Sequence, residues 1–500
     1  MTFLKTYLNA TPIDEVDSAT AAYLGSLDQI SSVSPKIAES ILQELHDQRT
    51  HLKLIASENY SSLPVQLAMG NLLTDKYAEG YPHHRFYAGC DNVDTIEQTA
   101  ADELKQIFGC DHAYVQPHSG ADANLVAFWS IIVHNILNKE IEKLGKKSVD
   151  QLTAEEHETI RQLMVNQKVM GLSLRSGGHL THGFALNVSS MFMKACTYDV
   201  DRESELINFD HLAKQIRQEK PTILLAGYSS YPRKINFAKM KELADEVGAV
   251  FMVDMAHFAG LVAGKVFTGD FDPIPFADFV TTTTHKTLRG PRGGVVMCKK
   301  EFAETVNKGC PLILGGPLPH VMAAKAIAFK EANTKNFCNY AQNIVNNAQS
   351  LAQAFLAKDC KLVTGGTDNH LLVLNVSQFG LTGRQAETAL SQAGITVNRN
   401  TVPFDPNGAW YTSGIRIGTP ATTTLGMGSN EMQQIADLIF TVLSNTKPTF
   451  VAKTNAMSKA QATVDNNVLI SVQNEVKKLM EKFPLYPQIA IPAYSNQITI

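Results

Sequence analysis

The chain contains a lysine and an aspartate whose positions suit covalent chemistry on a carbonyl compound. Lys286 follows a run of threonines at 281–284, and a side-chain amine held away from solvent is a nucleophile that forms an imine with an aldehyde. Asp254 directly follows the apolar run 249–253, where a carboxylate can keep the nitrogen of a bound heterocycle protonated. Either residue alone has a simpler explanation, a solvated lysine or a helix-capping aspartate. The inference therefore rests on the pair.

Alternating strands and helices must position this pair. Short apolar runs predict strands, and apolar residues at helical spacing between them predict helices. Such alternation indicates an α/β fold with a mainly parallel sheet, in which residues at the carboxyl ends of the strands carry the chemistry. The predicted strands are 222–226, 249–253, 276–280 and 294–298. The two clearest helical faces are Ile96, Ala100, Leu104, Ile107 and Phe108, and Phe237, Met240, Leu243, Ala244 and Val247.

A third element offers a place for an anion. Residues 113–115 predict a further strand, which leads through Ser119 and Gly120 into a helix. The first turn of a helix presents unpaired N–H groups and the positive end of the helix dipole, which together bind phosphate. An amine, a carboxylate and a phosphate site are what an enzyme with a pyridoxal 5'-phosphate cofactor requires.

Seven longer motifs resemble the serine hydroxymethyltransferase family, over about residues 30–445. The resemblance implies a fold-type I pyridoxal phosphate-dependent transferase, like aspartate aminotransferase, with a large domain on a mainly parallel sheet and a smaller C-terminal α+β domain. It also implies reversible conversion of L-serine and tetrahydrofolate to glycine and 5,10-methylenetetrahydrofolate, with tetrahydrofolate as co-substrate. The motifs are 56–60, 76–82, 177–183, 281–286, 290–294, 365–370 and 413–416.

The same resemblance assigns residues to the cofactor. Lys286 would hold pyridoxal phosphate covalently, and Asp254 would face its ring nitrogen. His179 would stack on the ring, and His257 would lie near its phenolic oxygen. The further cofactor contacts that the resemblance implies are Ser119, Gly120, Ala121, Ser229, Gly316 and Tyr77.

Other residues are expected to bind the substrates. Arg416 would bind the amino acid carboxylate, because a guanidinium makes two parallel charge-assisted hydrogen bonds, and Ser57 resembles a second contact to that carboxylate. Glu79 is the expected acid–base group, since a carboxyl group near a bound carboxylate and away from water can carry a proton. Tyr87 resembles an active-site tyrosine beside Glu79. The remaining expected contacts to substrate and folate are Leu174, Gly178, His179, Leu180 and Asn400, with the stretch 408–410.

Two details near the cofactor need separate mention. Arg292 follows Lys286 in a glycine-rich loop and is either a second cation on the cofactor side or an anchor of that loop; we favour the anchor. The phosphate segment carries Ala121 and Asp122 where the resembling family usually has serine and glutamine. A carboxylate beside a phosphate predicts weaker cofactor binding.

Partners are expected to be small molecules and a second copy of the chain. In the resembling family the residues around Glu79 reach across from a partner subunit, which implies a homodimer, with a homotetramer left open. The small molecules implied are serine, glycine and tetrahydrofolate. The net charge of −4 gives no basic excess to attract nucleic acid.

The location is expected to be cytoplasmic and without a membrane partner. Residues 1–17 lack the basic start and apolar core of a targeting segment, and no unbroken apolar run reaches the roughly 18 residues that span a bilayer. The 7 cysteines are odd in number and scattered, which predicts neither a disulfide framework nor a zinc site, and we expect no metal.

Domain limits are predicted at an N-terminal arm 1–70, a large cofactor-binding domain 71–330 and a small domain 331–500. The large domain carries a polar inserted segment at about 138–167, in which residues 153–156 predict a capping box that begins a helix with Ile160, Leu163 and Met164 on one side. The small domain carries an extension, 448–500, in which Val468, Val472, Val476 and Leu479 predict a docked helix. Neither segment is assigned a function.

Two alternatives stay open on the residues alone. The same cofactor chemistry serves a folate-independent aldolase acting on β-hydroxy amino acids, or an amino acid racemase such as an alanine racemase. A homologue without activity could instead bind a partner through the inserted segment.

Overall fold

The computed structural model of the chain describes residues 2–452 and 455–489. Its first 50 residues are mostly helical, and short extended segments follow. These elements are α1 (Phe3–Ala10), α2 (Ser18–Val33), α3 (Pro35–Thr50), β1 (Leu52–Lys53), α4 (Leu63–Leu67), β2 (Gly80–Tyr81) and β3 (His84–Arg85).

The middle of the chain alternates helices and strands, as predicted. Its elements are α5 (Asp91–Phe108), β4 (His112–Tyr114), α6 (Gly120–Ile132), α7 (Asn138–Lys143), α8 (Ala154–Val165), β5 (Lys168–Leu172), α9 (Ser189–Phe192), β6 (Lys194–Tyr198), α10 (Phe209–Glu219), β7 (Ile223–Gly227), α11 (Phe237–Glu246), β8 (Val250–Asp254), α12 (Ala259–Ala263), β9 (Phe279–Thr283), β10 (Gly294–Cys298), α13 (Ala303–Asn307), α14 (Pro319–Ala332) and α15 (Lys335–Leu356).

Seven of these strands form one sheet in the order β4-β10-β9-β8-β7-β5-β6. The pairs β9–β8, β8–β7, β7–β5 and β5–β6 are parallel, and β10 alone runs antiparallel to its two neighbours. The predicted α/β fold with a mainly parallel sheet is therefore confirmed.

Helices cover both faces of the sheet because side chains along a strand alternate in direction. In β8, Phe251 and Val253 belong to a core shared with α5, α10, α11 and α14, whereas Val250 and Met252 belong to a second core shared with α6. Both predicted helical faces, in α5 and α11, pack into the first of these cores. Sheets buried on both faces have strands that are apolar throughout, which explains the continuous apolar runs in the sequence.

One predicted strand was misplaced by three residues. The prediction was 276–280, whereas β9 is Phe279–Thr283 and contains most of the threonine run. Threonine is β-branched and suits a strand, so the hydroxyl run belongs to the sheet rather than to the turn after it. Lys286 still follows the carboxyl end of β9. The other three predicted strands agree with the structure to within one residue.

A smaller C-terminal part has its own core. Its elements are β11 (Leu371–Asn375), α16 (Gly383–Gln392), β12 (Ile395–Thr396), β13 (Asn398–Asn400), α17 (Gly408–Tyr411), β14 (Gly414–Gly418), α18 (Pro420–Thr424), α19 (Ser429–Ser444), β15 (Thr446–Val451), β16 (Ala456–Val464) and α20 (Asn466–Lys482). Strands β11, β14 and β13 form a three-stranded sheet, and β1 pairs with β12, so residues 52–53 join this part. The domain limits at 70 and 330 stay predictions.

The two unassigned segments are folded as their patterns predicted. In the inserted segment, Thr153 and Glu156 form the predicted capping box at the start of α8, and Ile160 is buried while Leu163 is 41% exposed. In the extension, α20 buries Val472, Val476 and Leu479 in the C-terminal core. Residues 453–454 and 490–500 of that extension lie outside the described residues.

One helical stretch, 120–143, is long and apolar enough to cross a membrane by length and composition. The sequence analysis did not anticipate it. Its apolar residues pack inside the protein: Ala123, Val126, Phe128 and Ile131 lie against the central sheet in the second core. It is a core helix of the large domain.

Candidate active site

A cavity of about 280 Å³ lies where β7, β8 and β9 end, with Lys286 on its wall. Parallel strands place their carboxyl ends at one edge of a sheet, so residues far apart in sequence meet there. Asp254 is the last residue of β8 and Thr283 the last of β9. The predicted site residues that line this cavity are Ser57, Ser119, Gly120, Ala121, His179, Ser229, Asp254, His257 and Lys286.

Lys286 is held as a reactive amine. Its Nζ donates to Oγ1 of Thr283 at 3.0 Å. Burial lowers the pKa of Lys286 to about 8. The negative charge of Asp254 opposes this shift, and the positive charges of Arg416 and Arg292 add to it. A fraction of the amine is thus unprotonated near neutral pH, which a nucleophilic lysine requires.

Asp254 is buried and kept ionised by its neighbours. Its Oδ2 accepts hydrogen bonds from Asn124 Nδ2 at 2.9 Å and from His182 Nε2 at 3.0 Å, and its Oδ1 accepts from the Ala256 amide at 3.0 Å. Burial alone would raise the pKa of Asp254, but the His182 hydrogen bond and charge and the Asn124 hydrogen bond hold that pKa well below its usual range. The carboxylate therefore stays negative at the cavity wall.

The ligand atoms of His179, His182 and Asp254 lie within 4.8 Å of one another, a spacing that also suits a metal ion. Both oxygens of Asp254 already accept N–H groups from the protein. Nε2 of His182 carries the proton that it donates to Asp254, so it has no lone pair to offer a metal ion. The cluster is thus explained as a hydrogen-bonded carboxylate–imidazole pair beside His179.

His179 lines the cavity as a neutral ring. Burial lowers the pKa of His179 to about 4, and the charges of His182 and Lys286 act in the same direction. Its Nδ1 lies 2.9 Å from Oγ1 of Thr181, which fixes the ring orientation. A neutral, oriented imidazole suits stacking on a flat heterocycle.

His257 is paired with a second buried histidine, His370. Nδ1 of His257 lies 3.1 Å from Nε2 of His370, and Nδ1 of His370 is buried without a hydrogen-bond partner among the described residues. Burial holds the pKa of both rings below the usual range, in His370 at about 3. Buried N–H groups without an acceptor are rare, so the proton of His370 belongs on Nε2, where it is donated to His257. His257 then carries its own proton on Nε2 and is a hydrogen-bond donor towards the cavity.

The N-terminus of α6 forms the anion end of the cavity. Ser119 is the N-cap residue, and the first intrahelical bond is donated by Ala123 to the Ser119 carbonyl at 3.1 Å. The amides of Gly120 and Ala121 precede that bond, and both residues line the cavity. Oγ of Ser119 donates to Oδ2 of Asp122 at 3.0 Å. The carboxylate noted as a departure from the family thus engages the hydroxyl that the phosphate would use.

Arg416 lies behind Ser229 and is not among the residues that line the cavity. Its Nη1 donates to the Ser229 carbonyl at 2.7 Å and its Nε to Oδ1 of Asn398 at 3.1 Å. Burial lowers the pKa of Arg416 to about 10. Among the described residues these two bonds fix the guanidinium, and Nη2 has no hydrogen-bond partner there. Oγ of Ser229 in turn donates to the Gly178 carbonyl at 2.9 Å. Ser229 and Gly178, both predicted site residues, are thus joined by a hydrogen bond.

Arg292 lies at the cavity of Lys286. It lines the cavity, is exposed, and makes no hydrogen bond or ion pair with residues 2–452 or 455–489. Its charge helps to lower the pKa of Lys286 and that of His285, which burial brings to about 3. Between the two alternatives from the sequence, the structure favours the second cation, against our preference for the anchor.

A larger cavity of about 810 Å³ adjoins the first and shares His179 and Ser229 with it. Leu174 and Asn400 line it, together with Gly408 and Ala409. Gly178 and Leu180, predicted to have the same role, are not among its lining residues. At Gly178 a Cβ would lie 1.9 Å from the Leu172 carbonyl oxygen, so the glycine there permits a close backbone packing.

Four predicted site residues form a separate cluster at the surface. The hydroxyl of Tyr87 donates to Oε2 of Glu79 at 3.0 Å, the rings of Tyr77 and Tyr87 are 5.2 Å apart in an edge arrangement, and Gly316 lies against the Tyr77 ring. Tyr77 and Tyr87 are 58% and 46% exposed. None of the four lines the cavity of Lys286 in the same chain. Ser57, by contrast, lines that cavity from within its own chain.

The sequence is similar to a family of known enzymes. The family model described as serine hydroxymethyltransferase matches residues 30–145 and 157–439. The chain belongs to the serine hydroxymethyltransferase family. The serine hydroxymethyltransferase of Treponema pallidum (strain Nichols) is 58% identical over 489 residues, 98% of this chain and 85% of that protein. Those of Cutibacterium acnes and Mycolicibacterium smegmatis are 54% and 53% identical over 96% of this chain, and over 98% and 97% of their own lengths.

Membership of the serine hydroxymethyltransferase family confirms the recognised resemblance and the fold-type I class. It also clarifies the inserted segment. The family model leaves residues 146–156 unmatched, within the predicted insertion, whereas alignments covering 96–98% of this chain extend across most of both unassigned segments.

Sequence reasoning missed three side chains that hold predicted residues of the candidate site. His182 and Asn124 hold Asp254, and His370 holds His257. His182 and His370 stand inside the motifs 177–183 and 365–370, and Asn124 stands on the helix predicted after Ser119 and Gly120. The signal available in the sequence was a further polar residue inside each of these segments. Which residue it contacts could be named only from the fold.

Proposed function

We propose that the chain catalyses the reversible transfer of the hydroxymethyl carbon of L-serine to tetrahydrofolate, which leaves glycine and 5,10-methylenetetrahydrofolate. The observation that carries the proposal is the meeting of Lys286 and an ionised Asp254 in one cavity beside a helix N-terminus. This arrangement suits pyridoxal phosphate in its three chemical parts: aldehyde, ring nitrogen and phosphate.

The residues present fit that cofactor. Gly294 shapes the phosphate end, because a Cβ there would lie 2.1 Å from the Ser119 carbonyl oxygen and 3.1 Å from the Gly120 nitrogen. Lys286 would hold the cofactor, Asp254 would keep the ring nitrogen protonated, and Ser119, Gly120 and Ala121 would hold the phosphate. When bound, pyridoxal phosphate supplies a conjugated ring that accepts the electron pair of a bond broken at the amino acid α-carbon.

The protein side chains orient the amino acid and move its protons. Arg416 and Ser57 would bind its carboxylate, since two bonds fix the guanidinium of Arg416 and no other described residue occupies its Nη2. His179 would cover one face of the ring, and His257 would donate its Nε2 proton without taking one up, because burial keeps its pKa well below the usual range. Glu79, with Tyr87 beside it, would carry the proton of the hydroxymethyl group.

Tetrahydrofolate would lie in the larger cavity. Its volume of about 810 Å³ falls in the range of drug-sized ligand sites, and its shared wall at His179 and Ser229 opens towards Lys286. Leu174 and Asn400 line it. Gly178 and Leu180 are the sequence neighbours of His179, which belongs to the shared wall. The one-carbon unit would thus pass between two adjoining cavities.

The working form would be a homodimer, with a homotetramer left open. Glu79, Tyr87, Tyr77 and Gly316 form a surface cluster, with both tyrosines exposed, and none of the four lines the cavity of their own chain. A second copy related by a two-fold axis would bring this cluster to the other chain's Lys286, in line with the prediction from the family. We propose a cytoplasmic location and no nucleic-acid or membrane partner.

The test measures glycine released from serine by the purified chain with and without tetrahydrofolate. We expect release to be strongly stimulated by tetrahydrofolate, with matching formation of 5,10-methylenetetrahydrofolate. Equal rates in both samples would instead identify a folate-independent aldolase. Racemisation of alanine, followed in the same preparation, is expected to be slow by comparison. Lys286→Ala serves as the control and should abolish all three activities.

A further inference from the structure

A second lysine, Lys325, is buried one layer behind the candidate phosphate site. It lies on α14 and is 1% exposed. Its Nζ donates to three backbone carbonyls, of Val115 at 2.6 Å, Pro117 at 2.9 Å and Gly294 at 2.9 Å. The three protons of the ammonium group are therefore all used.

These three carbonyls belong to the two backbone segments that shape the phosphate site. Val115 and Pro117 lead directly into Ser119, the N-cap residue of α6. A Cβ on Gly294 would lie 3.1 Å from the Gly120 nitrogen, so the Gly294 backbone packs on the same helix end. Lys325 thus joins the segment before α6 to the start of β10.

The charge of Lys325 has no carboxylate in contact with it among the described residues. Glu97 on α5 and Asp122 on α6 are the acids whose charges reach it. Glu97 already pairs with Arg85 at 2.6 Å and accepts from Gln116 at 2.8 Å, and Asp122 accepts from Ser119. Burial lowers the pKa of Lys325 to about 7 against these two acids. A buried ammonium without a counter-ion is costly, and this one lies behind a helix end suited to an anion.

We propose that Lys325 is the buried counter-charge of the cofactor phosphate, a positioning residue that fixes the 115–120 segment through its carbonyls and stabilises the dianion bound at the N-terminus of α6. The proposal rests on the proposed function, since it requires pyridoxal phosphate as the ligand. It also assigns a compensation for Asp122, whose negative charge beside the phosphate opposes binding. Neither the sequence motifs nor the reaction itself had called for this lysine.

The test compares two ligands in two proteins. Apoprotein of the full chain and its Lys325→Met variant, which keeps side-chain length without charge, are titrated with pyridoxal phosphate and with 5'-deoxypyridoxal, which has no phosphate. We expect the variant to bind pyridoxal phosphate about 10- to 100-fold more weakly, as for loss of a hydrogen-bonded charge, and to bind 5'-deoxypyridoxal as the wild type does. Lys330→Met, an exposed position on the same helix, is the matched control and should change neither.

The outcomes separate the claims. An equal loss for both ligands would show a purely structural role and overturn the proposal, and so would unchanged affinity for pyridoxal phosphate. Wild-type protein that binds neither ligand would refute the proposed function instead. Lys325→Arg, which restores charge, should recover part of the lost affinity.

A measurement on the wild type covers the case in which Lys325→Met does not fold. Calorimetry at pH 8 in buffers of different ionisation enthalpy gives the protons taken up on binding each ligand. A dianion near Lys325 raises the pKa of its ammonium, so pyridoxal phosphate should draw in more protons than 5'-deoxypyridoxal. Equal proton uptake for the two ligands would contradict the proposal.

Discussion

His182 donates from Nε2 to Oδ2 of Asp254 across 3.0 Å, and both side chains are buried, with Asp254 at the wall of the Lys286 cavity. The bond has two consequences. It fixes which nitrogen of His182 carries the proton, and it keeps Asp254 ionised although burial would favour the neutral acid. An ionised carboxylate at this position is what a protonated ring nitrogen requires.

Replacing Asp254 by asparagine should therefore abolish most of the activity while keeping the fold. The amide has the same shape but cannot hold a proton on the ring nitrogen. We expect turnover of serine to fall by about 10²- to 10⁴-fold, the range for loss of a positioned proton-holding group. Steady-state kinetics and the absorbance of bound cofactor measure the effect. Turnover within about tenfold of the wild type would show that Asp254 does not serve the ring nitrogen.

Arg416→Lys should weaken binding of the amino acid more than it slows the reaction. A lysine ammonium is a compact point charge that cannot reproduce the planar guanidinium, which holds Ser229 and Asn398 on two nitrogens and presents a third to a carboxylate. We expect KM for serine to rise about 10- to 100-fold, the effect of losing one charge-assisted bond. KM for tetrahydrofolate is the internal control and should change little. An unaltered KM for serine would remove Arg416 from the substrate site.

His370 should act through His257 by keeping its Nε2 proton directed at the cavity. His370→Gln retains a donor of similar reach, whereas His370→Leu removes it. We expect turnover to fall about tenfold or more in the leucine variant, as for a lost buried hydrogen bond, and to be largely retained in the glutamine variant. Nitrogen NMR of labelled histidine reports the protonated atom of His257 directly. Equal kinetics in the two variants would refute this role.

Mixed dimers test whether Glu79 serves the partner's cavity. Lys286→Ala and Glu79→Gln chains are each expected to be inactive. If Glu79 of one chain completes the Lys286 site of the other, half of randomly mixed dimers contain one intact site of two. Activity should then recover to about a quarter of the wild type. A mixture of two preparations of Glu79→Gln alone is the control.

No recovery in freely exchanging dimers would place Glu79 and Lys286 in the same site of one chain. That outcome would conflict with the exposed position of Tyr77 and Tyr87 beside Glu79. It would also require a rearrangement of residues 77–87, because none of them lines the cavity of the chain described here.

The parts of the site that local patterns determine were predictable. Asp254 ends β8 because an apolar run ends there, Lys286 follows the threonines that end β9, and Ser119 caps α6 because a small hydroxyl residue suits the N-cap position. The β9 boundary was misplaced because the prediction followed the apolar residues, whereas β-branched threonine suits a strand as well. These are properties of a few neighbouring residues, which the sequence displays directly.

The partners of those residues were not predictable, because the fold brings them from afar. His182 and Asp254 are 72 positions apart, and His257 and His370 are 113 apart. Nothing in the spacing of such pairs indicates a contact. Arg292 illustrates the same limit, since only the cavity shows that its side chain faces Lys286. Lys325 stands among the apolar residues of α14, and nothing in that stretch indicates that its side chain contacts backbone carbonyls.

The most direct test of the account is covalent trapping at Lys286. Apoprotein is incubated with pyridoxal phosphate across a range of pH, reduced with borohydride, and mapped by mass spectrometry. Burial lowers the pKa of Lys286 to about 8, so the reactive amine is scarce below that pH and predominant above it. We predict one pyridoxyl group, on Lys286, formed at an initial rate that rises with pH and levels off above about 8, and none in Lys286→Ala. An unmodified Lys286 with label elsewhere, or with no label, would contradict the account.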